Sequence, residues 1–301
     1  MEKTLSQRFG VSEFRPGQRE AIEAVLSGRD VFVCMATGAG KSLCYQFPPV
    51  YVERKVTAVV ISPLISLMED QVCKLRAHGI SACYVSSNMS LTEIDVVREQ
   101  VAHCDYRVVF IAPERLESWT YTFLRLYSEG QLQLLAVDEA HCVSEWGRDF
   151  RPEYRSIGSI FRATFPSVPI IALTATATVR VQREIVTNLM MRDPLKIVTS
   201  FNRPNITYKV MRKSGDCAKD LSFLIEDKTN SAIIYTPTIA ETDAISSMLT
   251  RHGVSCMKYS SVLGKDERTY AYTLFVEDSV QVVVATVKFI MTSFTFLFIC
   301  I

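Results

Sequence analysis

Short apolar runs rich in β-branched residues recur along the chain, at 31–35, 56–61, 107–111, 132–137, 170–173, 232–235 and 281–287. They are near-continuous and do not alternate with polar positions, the pattern of strands buried on both faces. Between them lie longer segments with apolar residues at three- and four-residue spacing, at 16–26, 64–77, 91–102, 180–190, 239–251 and 265–276. These read as amphipathic helices. Strand and helix in alternation predict a doubly wound α/β architecture, a parallel sheet with helices on both faces.

Composition adds organisation. At 301 residues the chain has room for two domains of ~150 residues. Asp193-Pro194, a short segment to Ser200 and Asn202-Arg203-Pro204-Asn205 carry turn formers without a helical period, which places a linker and a boundary near 200. The net charge of +1 excludes a protein that holds nucleic acid through bulk positive charge, though not a local basic groove. Nine cysteines are scattered with no CxxC, so neither a structural zinc nor a secreted disulfide framework is expected. With no signal-peptide pattern in MEKTLSQRFGVSEF, cytosol or nucleus is the expected compartment. Residues 289–301, FIMTSFTFLFICI, form an uncharged apolar run. It is shorter than the ~17–25 residues of a membrane helix, and Lys288 blocks its extension, so no membrane association is expected.

Chemistry concentrates in two places. Met35-Ala36-Thr37-Gly38-Ala39-Gly40-Lys41-Ser42 sits between the apolar run at 31–34 and the helical start Leu43-Cys44-Tyr45-Gln46-Phe47, which Pro48-Pro49 should stop. Strand, glycine loop and helix start together make a phosphate cradle. Thr37, Gly38, Ala39 and Gly40 supply backbone N–H groups, Lys41 reaches the β and γ phosphates, and the Ser42 hydroxyl ligates magnesium. The pattern G-x-x-x-x-G-K-[ST] has Met35 at its first glycine, so a plain Gly-rich turn remains the competing reading of this segment alone. The apolar run 132–137 leads directly into Asp138-Glu139-Ala140-His141. Two carboxylates at the end of a buried strand are costly unless a cation or water shares the site. Asp138 is then a magnesium ligand and Glu139 the base for the attacking water, against the alternative of a solvated acidic turn.

Asp138-Glu139-Ala140-His141, followed by Cys142-Val143-Ser144-Glu145-Trp146-Gly147-Arg148-Asp149-Phe150-Arg151-Pro152, resembles the DEAH box and aromatic-rich loop of the RecQ family of superfamily-2 DNA helicases. Ser42-Leu43-Cys44-Tyr45-Gln46 and the segment from Ile61 to Val72 lean toward its Werner-type branch. The resemblance implies a P-loop RecA-like lobe over 1–200 and a second, incomplete RecA-like lobe over 201–287. It also implies ATP and Mg2+ as cofactors, 3′ to 5′ unwinding, DNA as partner (single-stranded and tailed or structured duplex), and a nuclear location. Carried onto this sequence, Lys41, Asp138, Glu139 and His141 are catalytic, and Arg15 and Gln18 join the loop in holding the nucleotide, Gln18 through adenine. Ser62, Pro63, Leu64, Pro113 and Arg115 contact the strand backbone. Trp146, Arg148, Phe150 and Arg151 form the aromatic-rich DNA contact, where stacking chemistry competes with simple core packing of Trp146 and Phe150. Leu173-Thr174-Ala175-Thr176-Ala177 resembles the segment coupling hydrolysis to strand movement.

The departures are local. Arg148 stands where the family usually has His, and Tyr259-Ser260-Ser261-Val262 where it has Tyr-His-Ala-Gly. From Lys288 the sequence leaves the family pattern, so 288–301 reads as a non-family tail, and the motif carrying the arginine finger has no counterpart. The second reading is therefore a truncated ATP- and DNA-binding isoform with little unwinding.

Overall fold

A computed structural model describes every residue except 87, 88, 148, 149, 201, 203–205, 228, 230, 261, 287–296 and 301, with the backbone alone at 265 and 297–300. The expectations placed on Arg148 and on 287–296 thus lie outside the described residues. The chain divides into two compact units, Met1–Pro204 and Asn205–Ile301.

The first unit is built on a seven-stranded sheet: β1 (Val31–Cys34), β2 (Thr57–Ile61), β3 (Ala82–Val85), β4 (Val108–Ile111), β5 (Leu132–Val137), β6 (Ile170–Thr174) and β7 (Leu195–Val198). Their order is β3-β4-β2-β5-β6-β1-β7, and every pairing is parallel. The helices are α1 (Glu2–Phe9), α2 (Gln18–Leu26), α3 (Leu43–Tyr51), α4 (Ile65–Ala77), α5 (Leu91–Ala102), α6 (Leu116–Ser128), α7 (Pro152–Arg155), α8 (Ile157–Thr164) and α9 (Val179–Asn188). Alternate strand residues sort them into two layers. Val31, Val33, Ala58 and Val60 pack against α2, α3 and α4. Phe32, Cys34, Val59 and Ile61 pack against α5, α6, α8 and α9, around the buried Trp119, Phe123 and Phe161. The apolar runs are buried on both faces because each face carries its own helix layer.

Two local expectations are corrected. Pro48-Pro49 does not stop α3, which runs on to Tyr51. Both rings are buried, and their carbonyls find partners outside the helix, Pro48 O from Gln133 Nε2 at 3.3 Å and Pro49 O from Arg107 at 2.9 Å. The missing N–H groups fall opposite Cys44 O and Tyr45 O; burial of both rings and the tertiary bonds at the helix end stabilise the last turn against that loss. Leu195–Val198, read as linker, is the edge strand β7, paired with β1 from Val31↔Leu195 to Cys34↔Val198. It carries Lys196 and is half exposed, so it lacks the apolar signature of the central strands.

The second unit holds the parallel sheet β11-β8-β10-β9, from β8 (Ala232–Tyr235), β9 (Cys256–Tyr259), β10 (Val282–Ala285) and β11 (Leu297–Cys300). The short helices α10 (Cys217–Asp220) and α11 (Ser222–Glu226) and the longer α12 (Ile239–Arg251) and α13 (Lys265–Val276) complete it. Leu224, Ile245 and Leu249 cover one sheet face through Ala232, Ile234 and Val284, and Phe275 covers the other through Ile233 and Val283. It is again a parallel sheet with helices on both faces. Among the described residues, no helix is long and apolar enough to cross a membrane.

Candidate nucleotide and nucleic-acid site

Three neighbouring strands of the first sheet, β5, β6 and β1, end at the same carboxyl edge. Asp138-Glu139 leave β5, Thr174 closes β6, and the glycine loop leaves β1. Strands ~4.8 Å apart put the carboxylates and the loop about 10 Å from one another, room for a phosphate chain and a cation.

The loop turns on Gly38 and Gly40, at φ +81° and +84°, a region costly for residues with a Cβ. Met35 needs no such freedom. It is buried, has no positive φ, donates its N–H to Thr174 O at 3.2 Å, and lies beside Gly17, where an added Cβ would meet its Cε at 2.7 Å. The missing first glycine therefore leaves the turn unstrained. Lys41 Nζ is held inside the loop by Met35 O at 3.1 Å and Ala36 O at 3.4 Å. Ser42 begins α3, whose N-terminal N–H groups point toward the same space. Thr37 and Gly38 are exposed, Ala39 and Gly40 half-buried.

Arg15 and Gln18 reach the loop from the start of α2. Arg15 donates to Gly38 O, and Gln18 Nε2 donates to Gly40 O at 2.9 Å. Gln18 Oε1 accepts from Arg15 N at 2.8 Å, and the residue is 2% exposed. Here the geometry differs from the adenine contact expected of Gln18, because both ends of its amide already bond the loop and its own turn.

The acidic pair is electrostatically unusual. Asp138 is 8% exposed, and burial first, then repulsion from Glu139, push its carboxyl up to about 7. Opposing this, its Oδ1 accepts from Glu139 N at 3.0 Å, and the charges of Lys41 and His141 favour the carboxylate. The Asp138 carboxyl and the Ser42 hydroxyl are oxygen donors of the hard type that suits Mg2+. Glu139 adopts a left-handed backbone, φ +47°, at the turn. His141 Nδ1 lies 3.2 Å from Glu139 Oε2 and 3.1 Å from Thr174 Oγ1. Its hydrogen bond with Cys142, then that with Glu139, raise the imidazole to about 9 against the opposing effect of burial.

The expected strand contacts separate into two groups. Ser62 and Pro113 are buried, and the Ser62 hydroxyl has no hydrogen-bond partner among the described residues. Pro63, Leu64 and Arg115 are half-buried at the same edge. Arg151 ties the aromatic-rich loop to this segment through Pro63 O at 2.8 Å. Trp146 is 63% exposed and so is not core, while Phe150 is half-buried. The sequence reading missed the partners that hold these residues: Tyr154, whose hydroxyl donates to Asp138 O at 3.3 Å, and Ser144, Arg180 and Glu184 around Trp146. Their contacts link positions 16 to 40 residues apart, which no local spacing reveals.

The profile of the DEAD/DEAH box helicase family matches residues 15–185, which contain the glycine loop, the acidic pair and the Thr174 segment. The chain belongs to the DEAD/DEAH box helicase family. Within it, the resemblance to RecQ helicases holds. The chain is 41% identical over 281 residues to the ATP-dependent DNA helicase RecQ of Pasteurella multocida, covering 93% of this chain and 44% of that protein. It is 40% identical over 293 residues to the bifunctional 3'-5' exonuclease/ATP-dependent helicase WRN of Mus musculus, covering 95% and 20%. It thus spans less than half the length of either relative. Among solved structures, the DUF1998 helicase MrfA bound to DNA superposes with a TM-score of 0.72 at 18% identity, over 95% of this chain and 44% of that one, a likeness of fold.

Proposed function

We propose that the chain carries the ATP-hydrolysing lobe, 1–200, and part of the second lobe, 201–287, of a RecQ-type DNA helicase that unwinds 3′-tailed or structured DNA. One observation carries the reading: the glycine loop and the Asp138-Glu139 pair end neighbouring strands on either side of Thr174, and His141 bonds both Glu139 and Thr174. The relatives' names, ATP-dependent DNA helicase among them, supply the substrate class.

In this mechanism, loop N–H groups and the α3 N-terminus hold the phosphates, and Lys41 exchanges its carbonyl partners for the β and γ oxygens. Ser42 and Asp138 would hold Mg2+, which would supply positive charge beside the phosphates. Glu139 orients the attacking water and takes its proton. The protonated His141 holds the Glu139 carboxylate and bridges it to Thr174, so a shift at the β6 end is felt at the base. Gln18 and Arg15 leave the loop carbonyls when nucleotide enters, which frees Gln18 for adenine. The strand lies on Pro63, Leu64, Arg115, Arg151 and the Trp146 face, with Phe150 beside it. In a eukaryotic host the protein acts in the nucleus.

The test is ATP hydrolysis with and without single-stranded DNA, against a Lys41→Ala control, followed by unwinding of a 3′-tailed duplex. DNA-stimulated turnover lost in Lys41→Ala is expected; equal rates with and without DNA overturn the reading. The departure at Tyr259-Ser260-Ser261-Val262 favours a second reading, a chain that binds ATP and DNA with little unwinding. Stimulated hydrolysis without duplex separation selects it.

A further inference from the structure

Trp146 is held by a closed ring of contacts. The Arg180 guanidinium carbon lies 3.7 Å from the centre of the Trp146 ring. Arg180 Nε donates to Glu184 Oε1 at 3.2 Å, one helical turn along α9. Glu184 Oε2 accepts from Ser144 Oγ at 2.6 Å, and Ser144 Oγ accepts from Trp146 N at 3.2 Å. Ser144 is fully buried, so the ring has a fixed base. Helix α9 is equally fixed: Thr178 caps it through Val181 N at 3.4 Å, Ile185 is buried in the core, and Asn188 Nδ2 donates to Val143 O at 3.5 Å. Ionic partners around the ring are in place, since the Ser144 bond and Arg180 hold the Glu184 carboxyl below the usual range.

With one indole face covered at van der Waals distance and the residue still 63% exposed, the remaining surface of the ring opens to solvent. An unsupported surface tryptophan samples several rotamers, and stacking a base on it must first select one. A planar cation on the far face removes that freedom and adds a cation–π contact without obstructing the open face.

We propose that Arg180 and Glu184 are positioning residues that brace Trp146 from behind as a preformed stacking platform for a single-stranded nucleic-acid base. This rests on the reading of the chain as a DNA-binding helicase lobe. Because α9 follows directly from the β6 end at Thr174, the brace also joins the platform to the strand end that contacts His141.

The experiment uses the full chain, a fluorescein-labelled oligo-dT measured by anisotropy, and iodide quenching of tryptophan emission. Trp119 is fully buried, so iodide reads Trp146. Arg180→Ala is expected to weaken oligo-dT binding about three- to tenfold and to increase iodide quenching, with DNA-independent ATP hydrolysis unchanged. Arg180→Lys, which keeps the charge, recovers part of the affinity, and Glu184→Gln falls between. A merely structural role for α9 would leave the quenching unaltered or lower the melting temperature in step with affinity. Equal or tighter binding by Arg180→Ala, while Trp146→Ala binds weakly, overturns the brace and leaves the helicase reading standing. Wild-type and Trp146→Ala chains that both fail to bind oligo-dT overturn the helicase reading itself.

Discussion

Replacing Asp138 by Asn should stabilise the nucleotide-free protein at alkaline pH. The carboxyl is 8% exposed, and burial with Glu139 beside it raises it from 3.8 to about 7. A carboxyl whose folded value lies above its unfolded value contributes stability that is complete below 3.8. That contribution is lost as pH rises through 7. A difference of roughly three units at ~1.36 kcal/mol each sets an upper limit of about 4 kcal/mol at pH 8. For a unit of this size that is about 8–16 °C in melting temperature. Asn keeps the acceptor for Glu139 N without the charge. The assay is thermal unfolding by tryptophan fluorescence in EDTA from pH 4 to 8.5, which reports the first unit alone because Trp119 and Trp146 both lie there. Asp138→Asn should match wild type near pH 4 and exceed it increasingly toward pH 8. Magnesium with nucleotide should reverse the order, since only the carboxylate gains from the cation. A pH-independent gap, or a less stable Asn variant at pH 8, would falsify the electrostatic argument.

Other consequences follow from single contacts. Asp30, with its side chain fully buried, accepts from Arg162 at 2.7 Å, Ile170 N at 2.8 Å and Arg192 N at 2.6 Å. Asp30→Ala removes the carboxylate from Arg162, which keeps only backbone carbonyl partners, and should cost about 3–5 kcal/mol in urea unfolding; a loss under 1 kcal/mol refutes its structural weight. At Gly158 an added Cβ would lie 2.1 Å from Asn188 O and 2.6 Å from Leu189 Cα. Gly158→Ala should therefore cost about 1–3 kcal/mol, checked by the same melt, and an unchanged melt shows that α8 can shift. His141 should titrate near 9 by NMR, with its charged form stabilising fully below 6.5 and that contribution lost through 9. Cys142→Ala, which removes the first hydrogen-bond partner, should lower this midpoint, and a wild-type midpoint below 7 would break the proposed Glu139–His141 link.

What was legible in the sequence depended on where each signal is encoded. Central strands such as β1 and β10 announce themselves because both faces are covered, so every position is apolar. β3, β7 and β9 do not, since Tyr84, Lys196 and Lys258 interrupt them at exposed or half-exposed positions. Pro48-Pro49 misled because the groups that secure the end of α3 are distant in sequence, Arg107 just before β4 and Gln133 in β5. Lys41, Ser42, Asp138 and Glu139 stood out because phosphate and cation chemistry demands those types beside a strand end. The bracing of Trp146 by Arg180 and the engagement of Gln18 with Gly40 were invisible, because each joins segments 22 to 34 residues apart through side-chain geometry alone.

The strand order also dictates when the nucleotide loop takes shape as the chain is made. β2, β3, β4 and β5 can pair among themselves once residue 137 has emerged. β1, though synthesised first, pairs only with β6 and β7, whose residues arrive about 140 to 165 positions later. Until then the strand feeding Gly38 and Gly40 has no neighbour, and closing so long a loop is a slow step. A nascent chain halted before Ile170 would hold a folded half-sheet and an unanchored glycine loop, so nucleotide protection from protease should begin only after β6 and β7 leave the ribosome.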